Sequence, residues 1–291
     1  MMKRVNKSKP EEASKRKARK IYKESRKSTK KVVKKDSDNE GDDKIKLIRL
    51  NKFIADAGIC SRREADKLIE SGKVRLNGKT VTELGTKVKA GDLVIYNGER
   101  LKSEKLRYLL LNKPKGFITT ADDPQNRRTV MNLVEKACDE RIYSVGRLDR
   151  NTTGVLLFTN DGELTTRLTH PSHGVKKLYH VVLDKPLSKN DLLKIIDGVE
   201  LEDGEIKPDS INWVTDEADK RHVGIELHSG KNRIVRRIFE HVGYEVVRLD
   251  RVIFAGLTKK DLPRGRWRFL EEKEVNILKM IGVKPEEKKR K

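Results

Sequence analysis

Apolar and polar positions begin to repeat regularly near Ile48. From there, two apolar stripes follow each other with the spacing of amphipathic helices, and each ends at a glycine, Gly58 and Gly72. The second stripe begins at Ser61, and Glu64 follows it at the spacing of a capping box, which starts a helix. The pattern therefore predicts two short helices in succession.

An alternating pattern replaces the helical one after the second glycine. Asn77 and Gly78 separate two short alternating runs, as in a tight β-hairpin, and a further run ends at Tyr96. Together these elements predict a module of two helices and a small sheet, and we expect it to cover residues 47–104.

The apolar runs become longer from residue 105 onward, and helical and alternating segments do not follow each other in a regular order. This order favours an α+β fold with a mixed, largely antiparallel sheet and flanking helices, and we expect this larger domain to cover residues 105–285. A turn is predicted at residues 160–162 (Asn-Asp-Gly). Strands are predicted at residues 108–111, 117–119, 142–145, 155–159, 178–183, 222–228, 246–253 and 267–270. Helices are predicted at residues 130–137, 189–196, 232–241 and 271–280.

The two ends of the chain lack such patterns. Residues 1–46 carry many lysines and arginines followed by an acidic stretch, with almost no large apolar side chains, and residues 286–291 are basic. Segments of this kind bury too little apolar surface to offset the entropy of the chain, so we expect both to be disordered. The first is either a basic arm that adds affinity for a polyanion or a solubilising tail.

The charge of the whole chain narrows the choice of partner. Its formal net charge is +22 at pH 7, which predicts a nucleic-acid partner because each phosphate neutralised by Lys or Arg releases counterions. No apolar run approaches the roughly 20 residues of a transmembrane helix, and no signal-peptide pattern follows Met1. We therefore expect a soluble, cytoplasmic protein without a membrane partner.

The two cysteines, Cys60 and Cys138, indicate no disulfide framework, and the few histidines indicate no metal site.

Basic side chains crowd one face of the N-terminal module, while apolar side chains hold the other. The helix start at Ser61 adds backbone N–H groups that attract anions. An ordinary solvated helix face is the alternative, but this segregation of charge favours RNA binding. The residues predicted to bind RNA are Arg49, Lys52, Ser61, Arg62, Arg63, Lys73, Arg75 and Lys79.

Three segments of this module resemble the S4 RNA-binding module. They are residues 49–53 (Arg-Leu-Asn-Lys-Phe), 60–65 (Cys-Ser-Arg-Arg-Glu-Ala) and 74–79 (Val-Arg-Leu-Asn-Gly-Lys). By itself, this resemblance implies binding of structured RNA and no chemistry.

One carboxylate of the larger domain, Asp149, lies between two apolar runs and precedes a loop rich in Thr and Gly. It is thus placed at a strand end, where it can face a cleft. From composition alone, an aspartate that makes a turn hydrogen bond is the simpler interpretation. Glycoside hydrolysis would need a second carboxylate across the scissile bond. Asp161 and Glu163 are near in sequence, but residues 160–162 (Asn-Asp-Gly) are predicted to form a turn. The basic charge and the S4-like module also oppose a neutral sugar substrate.

The segment around Asp149, residues 146–162, closely resembles the central motif of rRNA pseudouridine synthases of the RsuA/RluB type. The segments that resemble the flanking motifs follow in the same order, at residues 111–116, 168–171, 177–179, 230–237 and 265–268. The resemblance extends from about residue 48 to 280, and its details are nearer to the large-subunit members. It implies isomerisation of a uridine in rRNA or in a ribosome-assembly intermediate. The reaction needs no redox step or energy input, so we expect no cofactor, and nothing in the sequence suggests more than a monomer.

The resemblance also implies roles for single residues. Asp149 matches the catalytic aspartate, Tyr179 the aromatic residue that stacks on the target base, and Arg236 the basic residue that pairs with the aspartate. A carboxylate can attack C1′ of the ribose or remove a ribose proton, and the sequence leaves both routes open. Further RNA contacts are implied for Arg147, Thr153, Arg233 and Arg237.

A non-catalytic RNA-binding factor in ribosome assembly is the second functional hypothesis. It would combine an S4 module with an inactive synthase-like domain. Loss of the aspartate, the tyrosine or the arginine would favour it, and all three are present at Asp149, Tyr179 and Arg236.

Overall fold

The computed structural model describes residues 47–214 and 219–282. The predicted disordered ends therefore lie outside the described residues. The helices are α1 Leu50–Asp56, α2 Arg62–Glu70, α3 Met131–Val134, α4 Gly162–Thr169, α5 Lys189–Asp197, α6 Ile234–His241 and α7 Glu272–Met280, with a 3-10 turn at Pro171–His173. The strands of the N-terminal module are β1 Ile48–Arg49, β2 Val74–Leu76, β3 Lys79–Val81, β4 Lys87–Val88, β5 Val94–Tyr96 and β6 Glu99–Arg100. The remaining strands are β7 Tyr108–Lys113, β8 Tyr143–Ser144, β9 Thr153–Thr159, β10 Lys177–Leu183, β11 Val199–Leu201, β12 Gly204–Ile206, β13 Ser210–Trp213, β14 His222–Leu227, β15 Val246–Phe254, β16 Leu257–Thr258 and β17 Trp267–Phe269.

The N-terminal module follows its sequence pattern closely. Ser61 caps α2 through its side chain, which accepts a hydrogen bond from the Glu64 N–H, and the Glu64 carboxylate accepts from the Ser61 N–H at 2.8 Å. Asn77 and Gly78 both have positive φ, at 50° and 83°, which suits the two-residue turn between β2 and β3. Strands β3, β2, β5 and β6 form one antiparallel sheet. The predicted helices and hairpin of this module are confirmed.

The larger part of the chain is built on one sheet with the strand order β13-β14-β10-β15-β9-β7-β17, to which β16 and β8 add at β15 and β9. Its pairings are antiparallel except for the parallel pairing of β15 with β9. The predicted α+β class and the mixed, largely antiparallel sheet are therefore confirmed.

The apolar run of β7 shows why this sheet needs packing on both faces. Leu109 and Leu111 belong to one buried cluster, whereas Leu110 belongs to another, because successive strand residues point to opposite faces. All three side chains are fully buried. The sequence of a strand that is buried on both faces is a continuous apolar run, as the sequence of β7 is at these three residues.

Gly154 permits the parallel contact between β9 and β15. Its φ is 108°, and a Cβ atom at this position would lie 2.1 Å from the carbonyl oxygen of Arg251. Only a residue without a side chain lets the two backbones approach this closely. The contact brings β15 next to the end of the loop that carries Asp149.

Three local predictions were wrong. Residues 117–119 form no strand, and only Ile118 makes an isolated bridge, to Thr129. The helix predicted at 130–137 is the four-residue α3. The predicted turn at 160–162 instead starts α4, because the Asp161 side chain accepts a hydrogen bond from the Leu164 N–H and so caps a helix.

The helices of the described ranges are short. None of them combines the length and the apolar character that crossing a bilayer requires.

Candidate active site

Asp149 lies in the loop between β8 and β9, and hydrogen bonds hold the loop on both sides of it. The Thr119 hydroxyl donates to the Leu148 carbonyl oxygen at 2.7 Å and accepts from the Leu148 N–H at 3.3 Å. The Thr152 N–H donates to the Asp149 carbonyl oxygen at 3.0 Å. Gly146 starts the loop with a positive φ of 72°. The half-buried carboxylate is therefore carried by a backbone with a defined path.

Lys113 holds this loop through hydrogen bonds from its side chain to backbone carbonyl oxygens. It ends the apolar strand β7, and its side chain is 0% exposed. Its ammonium group donates to the carbonyl oxygens of Asp149 at 3.0 Å and Thr152 at 2.9 Å, and to those of Pro114 and Arg150 at 3.2 and 3.4 Å. Burial lowers the pKa of Lys113 to about 8, while the Asp149 carboxylate acts in the opposite direction. A buried cation thus fixes the position of the candidate catalytic carboxylate.

A cavity of about 430 Å³ opens beside the loop. A volume in this range accommodates a ligand of nucleoside size. Asp149 and Tyr179 both line it, together with Arg147, Arg233 and Arg251. The structure therefore brings together two of the three residues expected to be catalytic, although they are 30 positions apart in the chain.

Tyr179 lies in the middle of β10, between β14 and β15, where it pairs with Ile225 on one side and Arg251 on the other. Its side chain is 9% exposed. Although it is packed into the sheet, its ring still forms part of the cavity wall. A flat ring in this position can stack against a flat ligand.

Arg236, on α6, lies near the cavity without lining it. Its Nη1 donates to the Val246 carbonyl oxygen at 2.7 Å. Burial lowers the pKa of Arg236, the charge of Arg233 lowers it further, and the Asp149 carboxylate raises it. No ion pair between Arg236 and Asp149 is found in the described parts of the chain. Arg236 and Asp149 therefore interact through their charges in this structure. A direct ion pair between them stays a prediction.

The two neighbouring arginines differ in their surroundings. Arg233 has a left-handed backbone, with φ 47°, at the start of α6, and it lines the cavity. Arg237 binds the Asp203 carboxylate with two hydrogen bonds, of 2.6 and 3.0 Å, which lower the pKa of Asp203 to about 2. Arg237 therefore connects α6 to the turn between β11 and β12.

Comparisons with known proteins agree with this geometry. A family model for the S4 domain matches residues 48–94, and a model described as RNA pseudouridylate synthase matches residues 107–241. A ribosomal large subunit pseudouridine synthase B from Bacillus subtilis is 42% identical over 80% of this chain and 96% of the relative. The chain belongs to the RNA pseudouridylate synthase family. It is therefore an isomerase that acts on RNA.

Other relatives of this RNA pseudouridylate synthase support the same assignment. A dual-specificity RNA pseudouridine synthase RluF from Escherichia coli K12 is 35% identical over 83% of each chain. A crystal structure of a pseudouridylate synthase matches 79% of this chain and 99% of its own, with a TM-score of 0.58 and 30% identity. These comparisons support the isomerase and not the non-catalytic assembly factor.

The S4 domain of the synthase presents most of its predicted RNA-binding residues to solvent. In the ranges that the structure describes, these exposed cations form no ion pair. They are Arg49, Arg62, Arg63, Lys73, Arg75 and Lys79. Their charges are available to a polyanion.

Lys52 and Ser61 are the two members of the predicted set that have partners within the protein. Lys52 lies 3.4 Å from the Asp56 carboxylate and 3.2 Å from that of Glu163. The Ser61 hydroxyl caps α2. Both residues therefore have a structural task, whether or not they also contact RNA.

Arg147 and Thr153 flank the loop of Asp149, as expected, but they differ in orientation. Arg147 is exposed and lines the cavity. The Thr153 hydroxyl donates to the Asp250 carboxylate at 2.9 Å and to the Leu249 carbonyl oxygen at 3.3 Å. Thr153 therefore connects β9 to β15.

Sequence reasoning missed three cations of the site, which are the buried Lys113 and Arg251 and the half-buried Lys177. The last two line the cavity, and burial, followed by the charge of Arg251, lowers the pKa of Lys177 to about 8. The available signal was a basic residue in an apolar strand, where a cation needs a specific reason to be buried.

Asp161 was considered above as the second carboxylate of a glycoside hydrolase. In the structure it caps α4 and accepts a hydrogen bond from the Tyr108 hydroxyl at 2.9 Å.

Proposed function

We propose that this enzyme isomerises one specific uridine of ribosomal RNA, in the large subunit, to pseudouridine, with Asp149 as the catalytic carboxylate. The observation that carries the proposal is the meeting of Asp149 and Tyr179 in one cavity of about 430 Å³. The choice of large-subunit rRNA is supported by the name of the B. subtilis relative.

The cavity has the groups that this chemistry needs. A uridine taken out of its stack can place its base against the Tyr179 ring, a contact worth about 1–3 kcal/mol. The ribose then faces Asp149, whose carboxylate either attacks C1′ or removes a ribose proton. Either route breaks the C1′–N1 bond, after which the base turns and C5 bonds to C1′. The atoms of substrate and product are the same, so the reaction needs no oxidant or energy source.

The basic residues divide into two groups in this proposal. Arg236 holds a positive charge near Asp149 from its position on α6. Arg147 and Arg233 hold the RNA strand at the mouth of the cavity. The exposed cations of the S4 domain bind the rRNA or an assembly intermediate at a distance from the target base.

The division into residues 47–104 and 105–285 is part of the proposal. It is supported by the separate apolar core of the first module, which contains Leu50, Ile54 and Val74. We propose that the enzyme works as a monomer in the cytoplasm, where an rRNA substrate would be available to it.

The test is release of tritium from C5 of uridine in large-subunit rRNA transcribed in vitro. Wild type should release one equivalent per RNA, because C5 exchanges its hydrogen for the bond to C1′. Asp149→Asn should release none and bind RNA with nearly wild-type affinity. Asp139→Asn, which neutralises an exposed carboxylate elsewhere in the same domain, is the matched control and should behave as wild type.

Turnover by Asp149→Asn would contradict the role of the carboxylate. Tight binding without release by wild type, on small-subunit rRNA and assembly intermediates as well, would contradict the proposed reaction on rRNA.

A further inference from the structure

Arg251 is a buried cation in the wall of the proposed base site. It lies opposite Tyr179 in the pairing of β10 with β15, and its side chain belongs to the cavity wall. Only 3% of the residue is exposed. Among the described residues it is the arginine that burial excludes most completely from water.

The contacts of Arg251 leave part of its guanidinium unused. Nε donates to the Val155 carbonyl oxygen at 2.9 Å, and the group lies 4.6 Å from the centre of the Phe254 ring. Within the described ranges, its buried Nη2 has no hydrogen-bond partner, and no carboxylate lies within ion-pair distance of it.

Such an arrangement destabilises the fold. A buried charge without a counter-charge is among the most costly groups in a protein interior, and a buried N–H without an acceptor adds to the cost. Burial lowers the pKa of Arg251, and Tyr179 acts in the opposite direction, through its charge and through a hydrogen bond between the two side chains. Packing alone would be served as well by a neutral side chain of the same length.

The proposed reaction supplies the missing negative charge. When the C1′–N1 bond breaks, its electron pair leaves with the base, and the uracil ring carries one negative charge spread over N1, O2 and O4. The electron pair of the anion is used up when C5 forms its bond to C1′, and C5 then loses its proton while N1 takes one up. The charge therefore exists only between the two bond changes, in a ring that lies against Tyr179.

We propose that Arg251 stabilises this departing uracil anion from its position beside Tyr179. The inference rests on the proposed function. A fixed cation in a site of low polarity acts strongly on charge that develops nearby, because little water screens it and no reorganisation is needed. Lys177, on the same cavity wall, adds a second positive charge in its protonated form. Arg251 is thus a positioning and electrostatic residue, and Asp149 remains the group that acts on the ribose.

The test compares two leaving groups in one enzyme. An rRNA fragment carries either uridine or 5-fluorouridine at the mapped target position, and loss of that nucleoside is measured in single turnovers with enzyme in excess. Fluorine stabilises the departing anion, so the base depends less on help from the protein. Arg251→Met should slow the reaction of uridine by about 100-fold, as expected for loss of one preorganised group, and that of 5-fluorouridine by clearly less.

Three controls separate this role from a structural one. The ratio of the two rates within one variant does not depend on the fraction of folded enzyme, so a folding defect cancels. Arg251→Lys keeps the charge and should regain part of the rate on uridine. Arg248→Met removes an exposed cation from the same strand, on the opposite face from Leu249 and Arg251, and should leave both rates unchanged.

Equal losses on the two substrates, or wild-type rates for Arg251→Met, would overturn the inference while the proposed function stands. A wild-type enzyme that leaves the uridine fragment unchanged would overturn the proposed function, and this inference with it.

Discussion

The basic residues of the S4 domain and those around the cavity carry the same charge in opposite surroundings. Arg62 and Arg75 are exposed and have no ion pair among the described residues. Lys113 and Arg251 are buried and donate to backbone carbonyl oxygens. One protein therefore uses cations in two ways, as a solvated binding surface and as fixed internal supports.

The difference follows from the medium around each charge. An exposed cation is screened by salt within about 10 Å at 0.1 M ionic strength, so it adds affinity that is spread over many contacts. A buried cation is hardly screened and has a single geometry, so its removal changes one site strongly. The S4 domain should thus control how tightly RNA binds, and the buried cations how fast bound RNA reacts.

Among the variants that test this difference between exposed and buried cations, Lys113→Met should change stability and rate the most. Several carbonyl oxygens of the Asp149 loop lose a charged donor, so the free energy of unfolding should fall by about 2–3 kcal/mol. The single-turnover rate should fall by roughly 100-fold, because small displacements of a catalytic group cost about that factor. Denaturant unfolding and tritium release measure the two effects.

The matched control for Lys113 is Lys115→Met, which changes an exposed lysine two positions along. It should leave both quantities unchanged. A wild-type rate for Lys113→Met would mean that the loop holds Asp149 without its internal cation.

The next effect concerns RNA binding through Arg62 and Arg63. Replacing both with Ala should reduce the slope of log affinity against log salt by about 1.5, since each phosphate contact contributes about 0.7–0.9. The single-turnover rate at saturating enzyme should stay the same. Filter binding between about 50 and 300 mM salt measures the slope. Lys136→Ala, an exposed lysine outside the S4 domain, is the comparison, and an unchanged slope for the arginine variant would contradict an S4-type contact.

A smaller effect is expected in the pH dependence of the rate. Lys177 has its pKa lowered to about 8, first by burial and then by Arg251. Lys177 is charged below this pH and neutral above it, so the rate should fall as the pH rises through about 8. In Arg251→Met the pKa of Lys177 rises, and the fall should move to higher pH.

The pH profile also distinguishes the two lysines whose pKa is lowered, Lys113 and Lys177. The pKa of Lys113 is lowered to about 8 as well, by burial and without a contribution from Arg251. A fall in rate that keeps its position in Arg251→Met would therefore belong to Lys113 and not to Lys177.

The smallest effect is expected for Lys52, the lysine of the S4 domain that resembles the internal cations. It is half-buried and lies near Asp56 and Glu163. Lys52→Met should change the salt slope by less than about 0.5, below the value of one phosphate contact. A change of about 1 in the same filter-binding experiment would place Lys52 on the RNA.

Secondary structure was predictable where local chemistry decides it. The capping box at Ser61 and the turn at Asn77 are determined by neighbouring residues, and both are present. At residues 160–162 the same amino acids suit a turn or a helix start. These residues start a helix because Leu164 and Leu168 bury their side chains in the core when α4 forms.

The candidate site was predictable only in part, for a related reason. Asp149 and Tyr179 were identified by resemblance of whole motifs, and the structure places both on one cavity. Lys113 and Arg251 were missed because their contacts join residues 36 and 96 positions apart. No pattern of local spacing indicates such a contact.

The sequence by itself determined the order of the elements, the α+β class, the charge of the S4 surface and the identity of the candidate carboxylate. The first three follow from periodicity, capping and composition, which act over a few residues at a time, whereas the carboxylate was identified by the resemblance of the motif around it. Only the tertiary structure decided which cations are internal, that Thr153 and Arg237 hold the fold together, and that Arg251 lies beside Tyr179. The physical reason is that burial and charge pairing depend on which strands become neighbours, and the parallel contact of β9 with β15 at Gly154 makes that choice.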